Sequence, residues 1–173
     1  MQATVKLERT TNRTEHIVKN MFVAYLYDTA PYGDECVINE HGLPVWGTFD
    51  LPDPRTHDEC VRFNWWIRDR CERYVIRADG VPAGFMTILL DATYLPPDVD
   101  YELMDFFITP KYRGQGVGRL AARAAFDLYH GRWQVEELAR NTPAIRFWHR
   151  VIDEYTRGQY ENGSNGARQR FAN

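Results

Sequence analysis

Apolar residues recur along the chain with two periods, and the changes between them divide it into elements. Residues 3–7 alternate like a first strand, and residues 13–26 follow as a helix. In that helix Val18, Met21, Phe22 and Tyr25 fall three and four positions apart, giving one apolar stripe. Asn12 is the expected N-cap, and Glu15 three residues later suits a capping box. A long segment, 31–54, rich in Gly, Pro and acid, reads as loop. Helical spacing returns over 57–70 through Val61, Trp65, Trp66 and Ile67, with Thr56 as N-cap. Strands are expected at 74–77 and 83–90, joined through Asp79-Gly80, a pair suited to a tight hairpin. A strand at 101–109, a helix at 117–129, a strand at 133–138 and a helix at 143–152 complete the core order. A last hairpin is expected from 154–160 and 168–171 around Asn162-Gly163-Ser164-Asn165-Gly166. The tail from 163 to 173 would then be a final strand or flexible. With neither repeats nor low-complexity segments, 1–173 reads as a single domain of the α/β class.

The most informative stretch is Tyr112-Arg113-Gly114-Gln115-Gly116-Val117-Gly118-Arg119, between the strand at 101–109 and the next helix. Glycine permits backbone angles other residues avoid and lets a ligand approach the main chain. A helix start also presents unpaired N–H groups and partial positive charge, so the turn suits a phosphate or pyrophosphate. Arg113 and Arg119 can add charge-assisted contacts. The spacing is not that of a P-loop, which needs Lys-Ser/Thr after its second glycine. Nor is it the dinucleotide fingerprint, because these glycines run at i, i+2 and i+4.

Flanking residues narrow the choice. Met104-Asp105-Phe106-Phe107-Ile108, Arg113-x-x-Gly116-x-Gly118 and Asn141-x-x-Ala144-x-x-Phe147-Trp148 together resemble the GNAT family of N-acetyltransferases, specifically over about 100–152. The resemblance implies a mixed, mostly antiparallel central sheet of about six or seven strands flanked by about four helices, splayed between the fourth and fifth strands. It implies acetyl-CoA as donor substrate and an amine as acceptor. Phe106, Phe107 and Ile108 would contact the acyl-pantetheine, and Arg113, Gly114, Gln115, Gly116, Val117, Gly118 and Arg119 the pyrophosphate. Asn141, Ala144 and Trp148 would lie along the pantetheine arm.

Composition agrees with a packed domain: 44% of the 173 residues are hydrophobic and 14% aromatic. A formal charge of -3 does not favour nucleic acid or an anionic membrane as partner. The N-terminal residues lack a signal-peptide pattern and no apolar run is long enough to span a bilayer, so a cytoplasmic location is expected. Cys36, Cys60 and Cys71 have neither zinc-like spacing nor a nucleophile signature and read as reduced thiols; no metal is expected. A homodimer is compatible with the sequence.

Charge is uneven. From Asp28 to Cys60 there are eight acidic residues against Arg55 alone, whereas 109–150 carries Lys111 and seven arginines against three acids. In the resembled fold the first segment borders the acceptor and the second the donor, which suggests a cationic amine meeting an anionic thioester.

Acyl transfer to an amine requires a neutral nucleophile, a polarised carbonyl and a proton for the leaving thiolate. A backbone N–H near Ile108 would stabilise the oxyanion. Relatives often carry a carboxylate on this strand; strict alternation puts Glu102, Met104 and Phe106 on one face and Leu103, Asp105 and Phe107 on the other. Asp105 is the first candidate base and Glu102 the second. Many relatives have a tyrosine where Trp148 stands, and an indole N–H is no practical acid, so either the thiolate leaves without an acid or Tyr155, Tyr112 or a water supplies the proton. The alternative function is a non-catalytic acyl-CoA-binding or regulatory module of the same fold.

Overall fold

The computed structural model describes residues 3–47, 52–65 and 70–173. Its elements are β1 (Val5–Arg9), α1 (Glu15–Thr29), β2 (Cys36–Ile38), β3 (Pro44–Trp46), α2 (His57–Asn64), β4 (Cys71–Ala78), β5 (Val81–Leu89), β6 (Tyr101–Ile108), α3 (Val117–Leu128), β7 (Arg132–Glu136), α4 (Thr142–Thr156), β8 (Glu161–Asn162) and β9 (Arg168–Ala172). Seven strands form one sheet in the order β1-β4-β5-β6-β7-β9-β8, and β2 pairs with β3 separately. Every neighbouring pair is antiparallel except β6 and β7, which run parallel. This is the mixed, mostly antiparallel architecture expected.

Two apolar layers sandwich the sheet. On one face, Ala121, Ala122, Ala125 and Phe126 of α3 and Trp148, Val151 and Ile152 of α4 pack on Met86, Ile88, Leu103 and Trp133. On the other, Val18, Phe22 and Leu26 of α1 and Cys60 and Val61 of α2 pack on Val75, Phe85 and Phe107. The alanine stripe of α3 lets the helix approach closely while its polar side stays in water.

Local chemistry explains where the chain follows its pattern. Asp79 and Gly80 both take positive φ, 49° and 82°, so the β4–β5 turn is of the primed type that matches strand twist. Thr56 caps α2 by accepting from the Glu59 N–H at 3.3 Å, and Asn141 caps α4 by accepting from Ala144 N–H at 3.2 Å.

Several expectations are corrected. The N-cap of α1 is Thr14, not Asn12, because a turn closes first: Thr14 Oγ1 accepts from the Thr11 N–H at 2.9 Å. Glu15 is therefore no capping-box partner and instead pairs with Arg73 of β4 at 2.8 Å. The helix over 57–70 ends at Asn64, where Trp65 becomes the C-cap and packs edge-on against Phe22 at 5.3 Å. The remaining residues expected there, 66–69 with Trp66, lie outside the described residues. The loop 31–54 contains the β2–β3 hairpin, with Trp46 seated against Gly33 where a Cβ would stand 2.1 Å from the indole. The segment 154–160 is no strand: α4 runs to Thr156 and ends at Arg157, whose φ of 58° is a left-handed cap. The tail is an ordered strand, with β9 between β7 and β8.

The strand β6 does not alternate strictly. Thr87 of β5 pairs with Asp105 while its neighbour Ile88 pairs with Leu103, so Met104 is an extra residue, a β-bulge. The bulge flips the pleat. Leu103 and Phe106 both pack toward α3 and α4, whereas Phe107 and its partner Phe85 pack toward α1 and α2. Alternation puts Asp105, opposite Thr87, and Glu102, opposite Leu89, on that same side of the sheet.

Gly84 of β5 sits against this strand so closely that a Cβ would come 2.0 Å from the Phe107 carbonyl oxygen. Gly84→Ala should therefore lower stability by about 1–3 kcal/mol, as overpacking does, measured by urea unfolding. An unchanged midpoint would show that the two strands are not so tightly apposed.

Candidate active site

The parallel pairing of β6 with β7 lasts only from Tyr101–Trp133 to Leu103–Val135. Beyond it β6 continues to Ile108, whereas β7 ends at Glu136 and its chain turns to β9, with Glu137 N–H donating to the Ala167 carbonyl at 2.9 Å. Aromatic side chains fill the fork between them. Phe106 stacks on Phe147 at 5.9 Å and meets Trp148 edge-on at 4.9 Å.

Above this wedge opens a cavity of about 770 Å³. Its walls bring together most of the residues singled out in the sequence: Phe106, Phe107 and Ile108 of β6, Arg113, Gly114, Gly116, Gly118 and Arg119 of the turn and α3, and Asn141, Ala144 and Trp148 of α4. Gly114 and Gly116 have φ of 72° and 80°, and a Cβ on either would meet nothing within 4 Å. The turn thus lines the cavity with no side chain of its own in the way, at the N-terminus of α3 where the first N–H groups lack intrahelical partners, which suits a diphosphate. The residues present fit the acyl-CoA that the sequence resemblance implies.

Other candidates stand elsewhere. Val117 is fully buried in the core, and the exposed Gln115 side chain donates to the Lys111 carbonyl at 2.6 Å; neither side chain lines the cavity. Trp148 is 5% exposed and belongs as much to the core as to the wall. Tyr155 is not among the lining residues: its hydroxyl donates to Asp127 at 2.8 Å and its ring packs on Phe126. Burial pushes its phenol above the usual value. Tyr112 does line the cavity.

Neither strand carboxylate is among the residues that line the cavity. Asp105 is 3% exposed, opposite Thr87. Glu102 accepts from Gln134 Nε2 at 3.0 Å, Gln134 in turn accepts from Arg170 Nε at 2.8 Å, and Arg170 pairs with Asp98. Burial raises the Glu102 carboxyl, with the Gln134 hydrogen bond opposing it.

The wall contributed by α1 was not singled out in the sequence. Tyr25, Asp28, Thr29 and Tyr32 line it from α1 and the turn that follows. Their spacing, i, i+3, i+4, i+7, is a helical face, visible in the sequence as a polar and aromatic stripe at the end of an apolar helix. The Arg113 side chain was expected on a phosphate, yet it makes a fork with Asp28 at 3.0 and 2.7 Å, and its Nε donates to the Ile108 carbonyl at 2.7 Å. Burial raises the Cys36 and Cys60 thiols, which weakens them as nucleophiles. Among the described residues no group of three or more His, Cys, Asp or Glu is arranged to hold a metal ion, and no helix is long and apolar enough to cross a membrane.

A parallel strand pair that forks over a glycine turn at a helix N-terminus defines an acyltransferase-type site. The acetyltransferase (GNAT) family model matches residues 43–152, and the chain belongs to that family. Solved structures agree in fold. An acetyltransferase from Thermus thermophilus is 17% identical, with a TM-score of 0.61 over 98% of this chain and 96% of that one. An aminoglycoside acetyltransferase AAC(6')-Ib in complex with coenzyme A is 15% identical, with a TM-score of 0.57 over 98% and 95%. A chimeric spermidine N-acetyltransferase from Vibrio cholerae and hSSAT is 12% identical, with a TM-score of 0.56 over 97% and 95%. No curated protein matches in sequence.

Behind the fork, burial lifts the Glu137 carboxyl to about 8, with a Gln169 hydrogen bond opposing. The folded state then holds this proton more tightly than the unfolded one, so the contribution is full below the ordinary carboxylate range and is lost as pH rises toward 8. Glu137→Gln should flatten the fall in stability between pH 5 and 8.5 by about 1–3 kcal/mol after screening, read from paired unfolding curves. Parallel curves for the two proteins would contradict the buried carboxyl.

Proposed function

We propose that the protein is an acetyl-CoA-dependent N-acetyltransferase, a single acyl-CoA-binding unit over 1–173, that acetylates a primary amine by direct attack in a ternary complex. The observation that carries this reading is the open glycine turn at the head of α3, facing the same cavity as the free flank of β6 and the capped start of α4. The aminoglycoside and spermidine acetyltransferases of similar fold are consistent with an amine acceptor.

When bound, the thioester supplies an activated acyl group; the chain's own residues do the rest. The turn at 114–118 holds the diphosphate through backbone N–H groups. The stretch of β6 past its last pairing with β7 offers main-chain groups to the pantetheine and the acyl oxygen, where a fixed N–H stabilises developing negative charge. Asp105, buried in β6 next to the wall residue Phe106, is assigned to take the amine's proton through a bridging water, on the face that the bulge also gives to Glu102. Tyr112, in the cavity wall, is placed better than Tyr155 to deliver a proton to the thiolate.

The second reading, an acyl-CoA-binding module without catalysis, draws on Trp148 packed where an acid would be useful. Calorimetry with coenzyme A, followed by free-thiol release from acetyl-CoA over a panel of amines, separates the two. We expect coenzyme A binding, thiol release with at least one amine, and a loss of about 10²-fold in kcat for Asp105→Asn, with Tyr155→Phe near wild type. Binding without thiol release from any amine would establish the module instead. Full activity of Asp105→Asn and Glu102→Gln at every pH would exclude a base on this strand.

A further inference from the structure

Asp28 and Glu154 both line the cavity, and each faces an arginine of the donor turn: Asp28 meets Arg113 at 2.7 Å and Glu154 meets Arg119 at 3.6 Å. Asp28 stands at the end of α1 with Tyr25 one turn before it, and Arg113 lies 5.5 Å above the Phe107 ring. The chain beyond α1 then crosses toward α4, where Arg140 pairs with Asp34 at 2.7 Å. The end of α1 is thus tied to both banks of the fork, to the turn after β6 by Arg113 and to the turn before α4 by Arg140.

Resting on the acyl-CoA reading above, we propose that Asp28 selects acceptors carrying a second cationic group, and that Arg113 covers Asp28 until the donor's phosphates draw Arg113 away. Both side chains of the pair are 42% exposed, so it is open to competition, but the fork is bidentate and Arg113 also donates from Nε to the Ile108 carbonyl, so only a more highly charged anion displaces it. A diphosphate at the head of α3 is a stronger partner for a guanidinium than one carboxylate, because it carries more charge and more acceptor oxygens. Once Arg113 turns to it, Asp28 is left as an uncovered carboxylate beside the Tyr25 and Phe107 rings, a setting that attracts a cation. The attacking nitrogen must be neutral, and a carboxylate partner would favour its protonated form. Asp28 therefore suits the non-reacting cation, and the acceptor class is a diamine or longer polyamine. Donor and acceptor binding become coupled through one arginine, and the coupling is reciprocal.

Calorimetry with coenzyme A and 1,5-diaminopentane tests this. In the wild type, saturating coenzyme A should tighten diamine binding by about tenfold. Arg113→Gln should bind the diamine in the absence of coenzyme A as tightly as the wild type does in its presence. Asp28→Asn should bind coenzyme A at least as tightly as wild type, lose the coupling, and lose the preference in kcat/KM for 1,5-diaminopentane over 5-aminopentan-1-ol. Coenzyme A binding without coupling in the wild type, a retained diamine preference in Asp28→Asn, or weakened coenzyme A binding in Asp28→Asn would each overturn the exchange. No coenzyme A binding to the wild type would overturn the donor reading itself, and the exchange with it.

Discussion

The parallel contact between β6 and β7 is held to three residue pairs, and the arrangement of the site depends on that limit. A strand paired on both sides has no main chain to offer a ligand. Here β6 keeps its antiparallel partner β5 to Ile108 but loses β7 after Leu103, so one flank of its backbone opens into the cavity. Three features keep the fork from closing. The Met104 bulge turns β6, the chain after β7 commits its hydrogen bonds to β9, and Phe106, Phe147 and Trp148 fill the angle. The same wedge explains why the position of Trp148 matters to packing: its indole supports the strand whose backbone faces the cavity.

Packing and chemistry meet again at the head of α3. The helix must lie close to the sheet for its alanines to bury, which brings its N-terminus to the edge of the fork. Gly116 reaches the helix in a left-handed conformation, and Gly118 lets the Phe147 ring come within 3.3 Å of where a Cβ would be. One glycine shapes the turn and the other sets the spacing between α3 and α4. Against this basic turn, α1 presents Asp28, so the two charged segments of the sequence meet directly through Arg113.

Much of this was legible from local signals. Asp79-Gly80, the glycine turn and the Thr56 cap each impose a backbone conformation through a few neighbouring residues, and each stands where the pattern put it. What escaped the sequence depended on partners far along the chain. The bulge at Met104 exists only in the register with Thr87 and Ile88, and it reverses which face Glu102 occupies. Asp28 and Arg113 are 85 residues apart, and no local pattern announces their fork. Tyr155 sits in the last turn of α4, facing Asp127 and Phe126, because the helix continues past the point where its apolar spacing was read to stop. The β2–β3 hairpin is short and lies outside the main sheet, so its segment carried loop-like composition despite being paired.

A donor site built from backbone requires the fork and the glycine turn to hold coenzyme A together. Amide hydrogen exchange with and without coenzyme A addresses it residue by residue. Slowed exchange is expected at the amides of 114–119 and along the end of β6, with the β1–β4 edge of the sheet unchanged. Protection confined to other segments, or none at the glycine turn while coenzyme A is bound, would contradict it.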